Sequence, residues 1–371
     1  MLTEKEISSF AEAGRCEIRA SSLPFVSVIM PVRNEAAFIE RSVGAVASQD
    51  YPHDRMEILI ADGMSEDGTR ESVSSLQQRH SHLKLIDNPG KIVAAGLNAA
   101  LRVAKGEIIV RVDGHCEVAP DYLRRCVWHL LHDEVEAVGG PVETIGESLT
   151  ARAIATAMSS RFGVGGSAFR VANSGTQFTD TVAFPAYTRS VLDRGGPFDE
   201  ELVRNQDDEY NYRLRKLGVK ILLASDIRSQ YYSRATLAKL GSQYFQYGYW
   251  KVRVMQKHPR QMQPRQFVPA LFVATVLGGL LMTPIIPLMG YVAGLIVTLY
   301  AVAVITASIF SARRTKWQLL PLLPIAFAIL HWAYGVGFLF GLVRFWNRWG
   351  EGKNRAHAAS PIPDLDKYES I

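Results

Sequence analysis

The residues of this chain best suited to chemistry are acids that follow short apolar runs. Ile108, Ile109, Val110 and Val112 form one such run, and Asp113-Gly114-His115 ends it. A carboxylate and an imidazole separated by one glycine can hold a divalent metal against a diphosphate. On spacing alone the triplet serves equally as a turn in which Asp113 caps its own backbone. A second acid, Asp62, follows the run Met56–Ala61 and opens a loop rich in turn formers, Gly63 to Thr69. An aspartate there can accept a hydrogen bond from the imide edge of a base, while Ser65, Asp67 and Thr69 are candidate caps for the next helix. The third centre is Gln206-Asp207-Asp208-Glu209. One of its carboxylates can act as general base on a hydroxyl, although acids at a helix N-terminus are also favourable to the helix dipole without any function.

The elements that must position these groups alternate. Strands are expected at Val26–Met30, Met56–Ala61, Leu83–Ile86, Ile108–Val112 and Val135–Val138. Helical spacing of apolar residues lies between them: Phe38, Ile39, Val43 and Val46, a polar helix to about His80, an alanine-rich helix from Ile92 to Lys105, and Asp121–His132. Such alternation implies right-handed crossovers, a mostly parallel sheet with helices on both faces, and a Rossmann-like α/β domain. In such sheets ligands bind outside the carboxyl ends of the strands. The Val32–Glu35 turn, the Asp62–Thr69 loop and Asp113–His115 all fall there. No Gly-x-Gly-x-x-Gly follows the first strand and no P-loop lysine motif occurs, which argues against dinucleotides and ATPase chemistry.

Taken together, Ser27-Val28-Ile29-Met30-Pro31-Val32-Arg33-Asn34-Glu35, Ala61-Asp62-Gly63, Ser65-x-Asp67-Gly68-Thr69, Asp113-x-His115, Phe198-Asp199-Glu200-Glu201 and Gln206-Asp207-Asp208-Glu209 resemble the family 2 glycosyltransferases of the GT-A fold. The bacterial succinoglycan-type exopolysaccharide glycosyltransferases are the nearest resemblance, which covers roughly residues 25–255. It implies that Pro31, Arg33, Asn34 and Glu35 cradle the nucleotide, that Asp62 reads uracil, and that Lys91 and Asn98 lie beside ribose and diphosphate. Asp113 and His115 match an Asp-x-Asp motif that binds Mn2+ or Mg2+; histidine replaces the second acid, removing a negative charge from the expected ligand set. Asp207 matches the general base, with Asp208 as its rival and Gln206 in place of a glutamate. Arg213 follows to orient the acids or contact phosphate, unless it forms an ordinary helix salt bridge. Gln246 and Trp250 resemble the Gln-x-x-Arg-Trp motif of processive members. Tyr249 stands in place of its arginine, which tells against a processive polymer synthase.

An alanine-rich helix is expected over Ser148–Arg161, then a Gly/Ser-rich loop, Gly163–Gly175, read as a lid over substrate, and a short strand at Thr181–Phe184. Beyond Arg265 the composition changes. No Asp, Glu, Lys, Arg or His occurs between Arg265 and Arg313, and only His331 is ionisable within 317–343. The division expected is an N-terminal arm (1–24), a GT-A domain (25–235), an amphipathic interfacial region with aromatic and basic residues (236–265), membrane segments at about 267–287, 289–310 and 319–343, and a polar tail (344–371). Three spans would place the basic tail opposite the catalytic domain, against the positive-inside rule. The net charge of +5 includes no basic tract suited to nucleic acid. Three cysteines without metal spacing fit a reducing compartment. With no apolar leader at the N-terminus, a multi-pass protein of the bacterial inner membrane with its catalytic domain in the cytoplasm is expected.

The function expected from the resemblance is inverting, metal-assisted transfer of a hexose such as glucose from a UDP-sugar to a polyprenyl-linked saccharide, for exopolysaccharide assembly, in contact with membrane lipids and with other assembly proteins as further partners. The alternatives are transfer to polyprenyl phosphate itself and a non-catalytic membrane scaffold with a degenerate GT-A fold.

Overall fold

A computed structural model of the chain describes residues 23–165, 168–171 and 175–349. Most of the N-terminal arm, most of the tail and five residues of the expected lid lie outside the described residues. Strand β1 (Val26–Val32) is buried along its whole length, as is β2 (Met56–Asp62), and the two pair in parallel. Between them α1 (Ile39–Ala47) buries Ile39, Val43 and Val46, the helical repeat read from sequence. Next come α2 (Thr69–Arg79), β3 (Leu83–Asp87), α3 (Val93–Val103) and β4 (Ile108–Arg111). β3 pairs with β2 and β4 with β1, all parallel, so the acid-bearing loops emerge at one edge. Gly96 lets α3 approach closely: a Cβ there would lie 2.9 Å from Asn88 Nδ2 and 3.3 Å from the Pro31 side chain.

The chain then departs from simple alternation. β5 (Cys116–Val118), α4 (Tyr122–His132), β6 (Ala137–Gly140) and β7 (Val142–Ile145) lead to α5 (Leu149–Met158), capped by Ser148. Short helices α6 (Arg161–Val164) and α7 (Ala168–Val171) occupy much of the segment expected to be irregular. They precede β8 (Gln177–Phe178), β9 (Ala183–Thr188), α8 (Arg189–Gly195), α9 (Gln206–Lys216), β10 (Ile221–Leu223) and β11 (Ser229–Tyr232). The main sheet runs β3-β2-β1-β4-β9-β6-β10-β8, with β9 antiparallel to both neighbours. The reason is local: β6 runs on into β7 and α5–α7 beyond the carboxyl ends, so the chain re-enters the sheet from that side. β5, β11 and β7 form a second small sheet.

Four longer helices follow: α10 (Leu237–Lys257), α11 (Val268–Met282), α12 (Pro287–Arg314) and α13 (Leu323–Arg344). Among the described residues, α12 and α13 are the helices long and apolar enough to cross a membrane; the first expected segment, 267–287, holds α11, a helix of 15 residues. Nor does α10 present a free amphipathic face. Leu240, Tyr244, Tyr249, Trp250 and Val252 are buried, and α10 packs along α13. Backbones meet at glycines: a Cβ on Gly248 would lie 2.0 Å from Tyr334 O, and one on Gly337 2.1 Å from Phe245 O. Small residues permit this approach. The aromatics of α10 that read as an interfacial anchor are instead largely core.

Candidate active site

At the end of β1 the chain turns through Asn34, whose φ of 53° is tolerated by asparagine better than by most residues. This turn is tied to the loop after β2 by several hydrogen bonds, one of them from the Glu66 N–H to Asn34 Oδ1 (3.0 Å). Asn34 N–H donates to Ser65 Oγ (2.9 Å), Glu35 N–H to Thr69 Oγ1 (2.8 Å) and Ala36 N–H to Asp67 Oδ2 (3.0 Å). The side chains expected to cap α2 therefore also fasten one loop to another. Asp67 Oδ1 still accepts from the backbone N–H of Thr69.

Asp62 stands at the predicted strand end, yet its carboxylate is engaged. It is fully buried, accepts from Ser65 Oγ and from the Ser65 N–H, and pairs with Arg70 at 2.7 Å. It does not line the cleft, because Arg70, on the first turn of α2, reaches back to it. Asn98 is likewise displaced from its expected role. Its amide clamps the backbone of Phe198 in both directions and donates to Glu200 (2.8 Å), which holds α3 against the chain before α9. Lys91, in the left-handed region with φ 58°, does border the cleft.

Asp113 follows β4 and accepts through Oδ1 from Arg111 Nε and Nη2, at 3.2 and 3.0 Å. Burial would lower the pKa of Arg111, but the charges of Asp113 and Asp207 outweigh it and keep the guanidinium firmly cationic. Arg111 was not among the sequence-based candidates. Its position two residues before Asp113, on the same strand face, was the available signal. Gly114 is demanded by crowding, since a Cβ would come within 2.9 Å of Val32 Cγ1 and 3.1 Å of Glu35 Cγ. His115 Nδ1 lies 2.8 Å from Glu35 Oε1. A carboxylate on Nδ1 favours the tautomer with its proton there, which leaves Nε2 unprotonated with a lone pair to offer a metal. Asp113 Oδ2 and His115 Nε2 therefore suit a divalent ion. Among the described residues no cluster of three or more His, Cys, Asp or Glu side chains is arranged to hold one, so the remaining donors would be water or substrate oxygens.

The acidic run opens α9 behind Asn205, whose side chain donates to Tyr247 O (2.9 Å). Its members have separate fates. Glu209 is buried and paired with Arg213 (3.0 Å) and His258 (2.9 Å). Burial would raise the Glu209 pKa, but these two partners hold it below the usual carboxylate range. Arg213 also donates to the carbonyls of Gly195 and Pro197, so it is a structural clamp outside the cleft. Asp208 is ion-paired to the buried Lys251 of α10. Asp207 is exposed to the cleft, and its Oδ1 accepts only the neighbouring Asp208 N–H among the hydrogen bonds found (2.9 Å). Gln206 is buried with Oε1 lacking a partner among the described residues. Gln246 borders the cleft and accepts from Arg204 (2.9 Å); Trp250 borders it too.

Pro31, Arg33, Asn34, Glu35, Lys91, Asp113, His115, Gln206, Asp207, Asp208, Gln246 and Trp250 thus surround one cleft of about 1220 Å³. Asp62, Asn98 and Arg213 lie outside it. The cleft continues to Phe272, Tyr300 and His331 of the C-terminal helices, and its walls carry Arg161, Arg170 and Arg234. These arginines had no local sequence signal. Arg234 follows β11, whose pairing with β5 and β7 places it in the field of Glu35 and Asp113.

Among known proteins, the succinoglycan biosynthesis protein ExoA of Rhizobium meliloti is 30% identical over 323 residues, covering 86% of this chain and 96% of that protein. A dolichyl N-acetyl-alpha-D-glucosaminyl phosphate 3-beta-D-2,3-diacetamido-2,3-dideoxy-beta-D-glucuronosyltransferase of Methanococcus voltae is 28% identical, covering 86% and 98%. In fold, the chain is similar to a mannosyltransferase from Pyrobaculum calidifontis solved with GDP-Man and Mn2+, at a TM-score of 0.54 and 22% identity, covering 90% of this chain and 94% of that one. The sequence model described as glycosyl transferase family 2 matches residues 27–196. With a relative of such identity along nearly its full length, the chain is a glycosyltransferase and belongs to glycosyl transferase family 2.

Proposed function

We propose that this enzyme transfers a hexose from a UDP-sugar to a saccharide carried on a polyprenyl lipid, inverting the anomeric centre, in surface polysaccharide assembly on the cytoplasmic side of a bacterial inner membrane. The observation that carries this reading is the continuity of the cleft. Asp113, His115 and Asp207 lie at one part of it, and the apolar C-terminal helices line another. A lipid-linked acceptor has both characters. The names of the relatives, one acting in succinoglycan synthesis and one on a dolichyl-linked sugar, support the same class.

Asp207 would take the proton of the acceptor hydroxyl as it attacks. The turn from Arg33 to Glu35 would hold the nucleotide. Asp113 and His115 would hold a Mn2+ or Mg2+ ion, and such an ion supplies Lewis-acid stabilisation of charge on the leaving diphosphate. The solved mannosyltransferase's complex with Mn2+ is consistent with that chemistry. A single displacement needs no carboxylate nucleophile, unlike the retaining route with two carboxylates at close range. Arg161, Arg170 and Arg234 suit the phosphates of a lipid carrier. Arg170 Nη1 is buried without a hydrogen-bond partner among the described residues. This also favours a second reading, transfer to polyprenyl phosphate itself.

Incubation of membranes containing the enzyme with a panel of UDP-sugars and lipid acceptors tests both. Transfer to a lipid-linked saccharide is expected, and a chelator should abolish it until manganese is restored. Product formed only on polyprenyl phosphate would select the second reading, and activity indifferent to the chelator would remove the metal. The Glu35–His115 contact carries its own prediction. Glu35→Ala should raise the manganese concentration needed for half-maximal transfer by about 10–100-fold, as loss of a partner behind a metal-binding histidine does. An unchanged manganese titration would show that His115 is not a ligand.

A further inference from the structure

The C-terminal helices do not fit a set of simple spans. Near its start α13 touches the catalytic domain: the rings of Phe327 and Phe162 are 5.2 Å apart, and His331 Nε2 bonds Phe162 O at 2.9 Å. Just past its end Phe345 O accepts from Gln256 of α10 (2.7 Å), and Arg348 pairs with Glu201 of the catalytic domain (2.9 Å). A helix anchored to one soluble domain at both ends lies along that domain. It cannot carry its far end across a bilayer.

Helices α11 and α12 leave this layer together and return. Tyr300 of α12 bonds His331 Nδ1 at 3.0 Å and packs tilted against Phe272 of α11, with ring centroids 4.5 Å apart. Beyond that level α11 continues over 273–282 and α12 over 287–299, roughly 15 and 20 Å of helix at 1.5 Å per residue. The hydrocarbon core is about 30 Å thick. The tip between them is apolar and outward-facing, with Ile285 73% and Leu288 62% exposed. Part of its backbone is paired within the turn. Thr283, Ile285, Ile286 and Met289 each donate their N–H to a carbonyl of the same turn, while Pro284 and Pro287 have none to satisfy. Thr283 Oγ1 bonds Gly279 O at 2.9 Å. Internal satisfaction of this kind is what backbone inside hydrocarbon requires. Past Tyr300, α12 returns to the catalytic core with Val304 and Ala312 buried, ending at Arg313 and Arg314.

We propose that α11 and α12 form a re-entrant hairpin, inserted into the acyl chains of one leaflet, with α13 lying in the interface beside the cleft. The surface is one for lipid, and no described residue emerges on the far side. This arrangement puts Arg265, Arg313, Arg314, Lys316, Arg344 and Arg348 on one face of the membrane, which removes the charge conflict that three spans create.

The test uses the full chain in sealed vesicles of both orientations, in a Cys16→Ser background; Cys116 and Cys126 are buried. Ile285→Cys, Thr315→Cys and Trp349→Cys are each exposed to a membrane-impermeant maleimide. Labelling of positions 315 and 349 is expected only from the face carrying the catalytic domain, with labelling of position 285 lost from both faces until detergent is added. Labelling of position 285 from either face, or of positions 315 and 349 from opposite faces, would overturn the hairpin. Quenching of a fluorophore on position 285 by lipids brominated in their acyl chains is expected, and no quenching would likewise overturn it.

Discussion

Asp207→Asn should reduce sugar transfer by about 10²–10⁴-fold while leaving UDP binding intact, the range expected when a positioned general base is lost. Two adjacent acids compete for that role, and their surroundings separate them. Asp208 is neutralised by Lys251, a buried lysine of α10, and its backbone carbonyl accepts from Gln261 (2.8 Å). It joins α9 to the C-terminal part of the chain. Asp207 makes no such pair and looks into the cleft, where the buried cation Arg111 feels both it and Asp113. Asp208→Asn should therefore lower stability, since Lys251 would remain buried without its partner, but leave more activity than Asp207→Asn does. Single-turnover transfer and calorimetric UDP binding, measured on both variants, decide the matter. Loss of UDP binding in Asp207→Asn would refute its assignment as base.

Glu201→Gln should destabilise the folded protein by about 3–5 kcal/mol, the usual result of breaking a buried ion pair from one side. Glu201 meets Arg253 at 2.7 Å, Lys257 at 2.6 Å and Arg348 at 2.9 Å, and Arg253 is only 1% exposed. The three cations come from α10 and from the segment after α13, so this one carboxylate fastens the catalytic domain to the C-terminal helices. Burial would raise the pKa of Glu201, but Lys257, Arg253 and Arg348 hold it below the normal carboxylate value. A depressed carboxylate contributes stability that is fully present above its unfolded pKa, about 4.3, and is lost as pH falls through the lower folded value. The gap between wild-type and Glu201→Gln unfolding midpoints in detergent should be constant near neutral pH and narrow below about pH 4. A gap of the same size at all pH values would mean that packing, not charge, carries the effect.

Much of this protein was legible in its sequence, for reasons tied to short range. Alternating buried strands and helices show in apolar periodicity, so β1 to β4 and the loops at their carboxyl ends fall close to where Val26, Met56, Leu83 and Ile108 announce them. Asp113, His115 and Asp207 stand out as candidates because their types and spacings are local. The uncharged stretch from Gln266 to Ala312 likewise marks apolar helices by composition alone. What only the tertiary structure decided is which of the polar groups are free. Arg70 occupies Asp62, Lys251 occupies Asp208, Glu209 holds Arg213, and Phe198 takes the amide of Asn98. Some of these partners are dozens of residues away, and a carboxylate's chemistry depends on whether a cation lies within a few ångströms, which spacing along the chain does not encode. The same holds for α10 and α13. Hydropathy marks α13 as able to sit in lipid, but where it lies follows from Gly248 and Gly337 bringing two backbones together, and from Phe327 and Arg348 binding one domain at both ends.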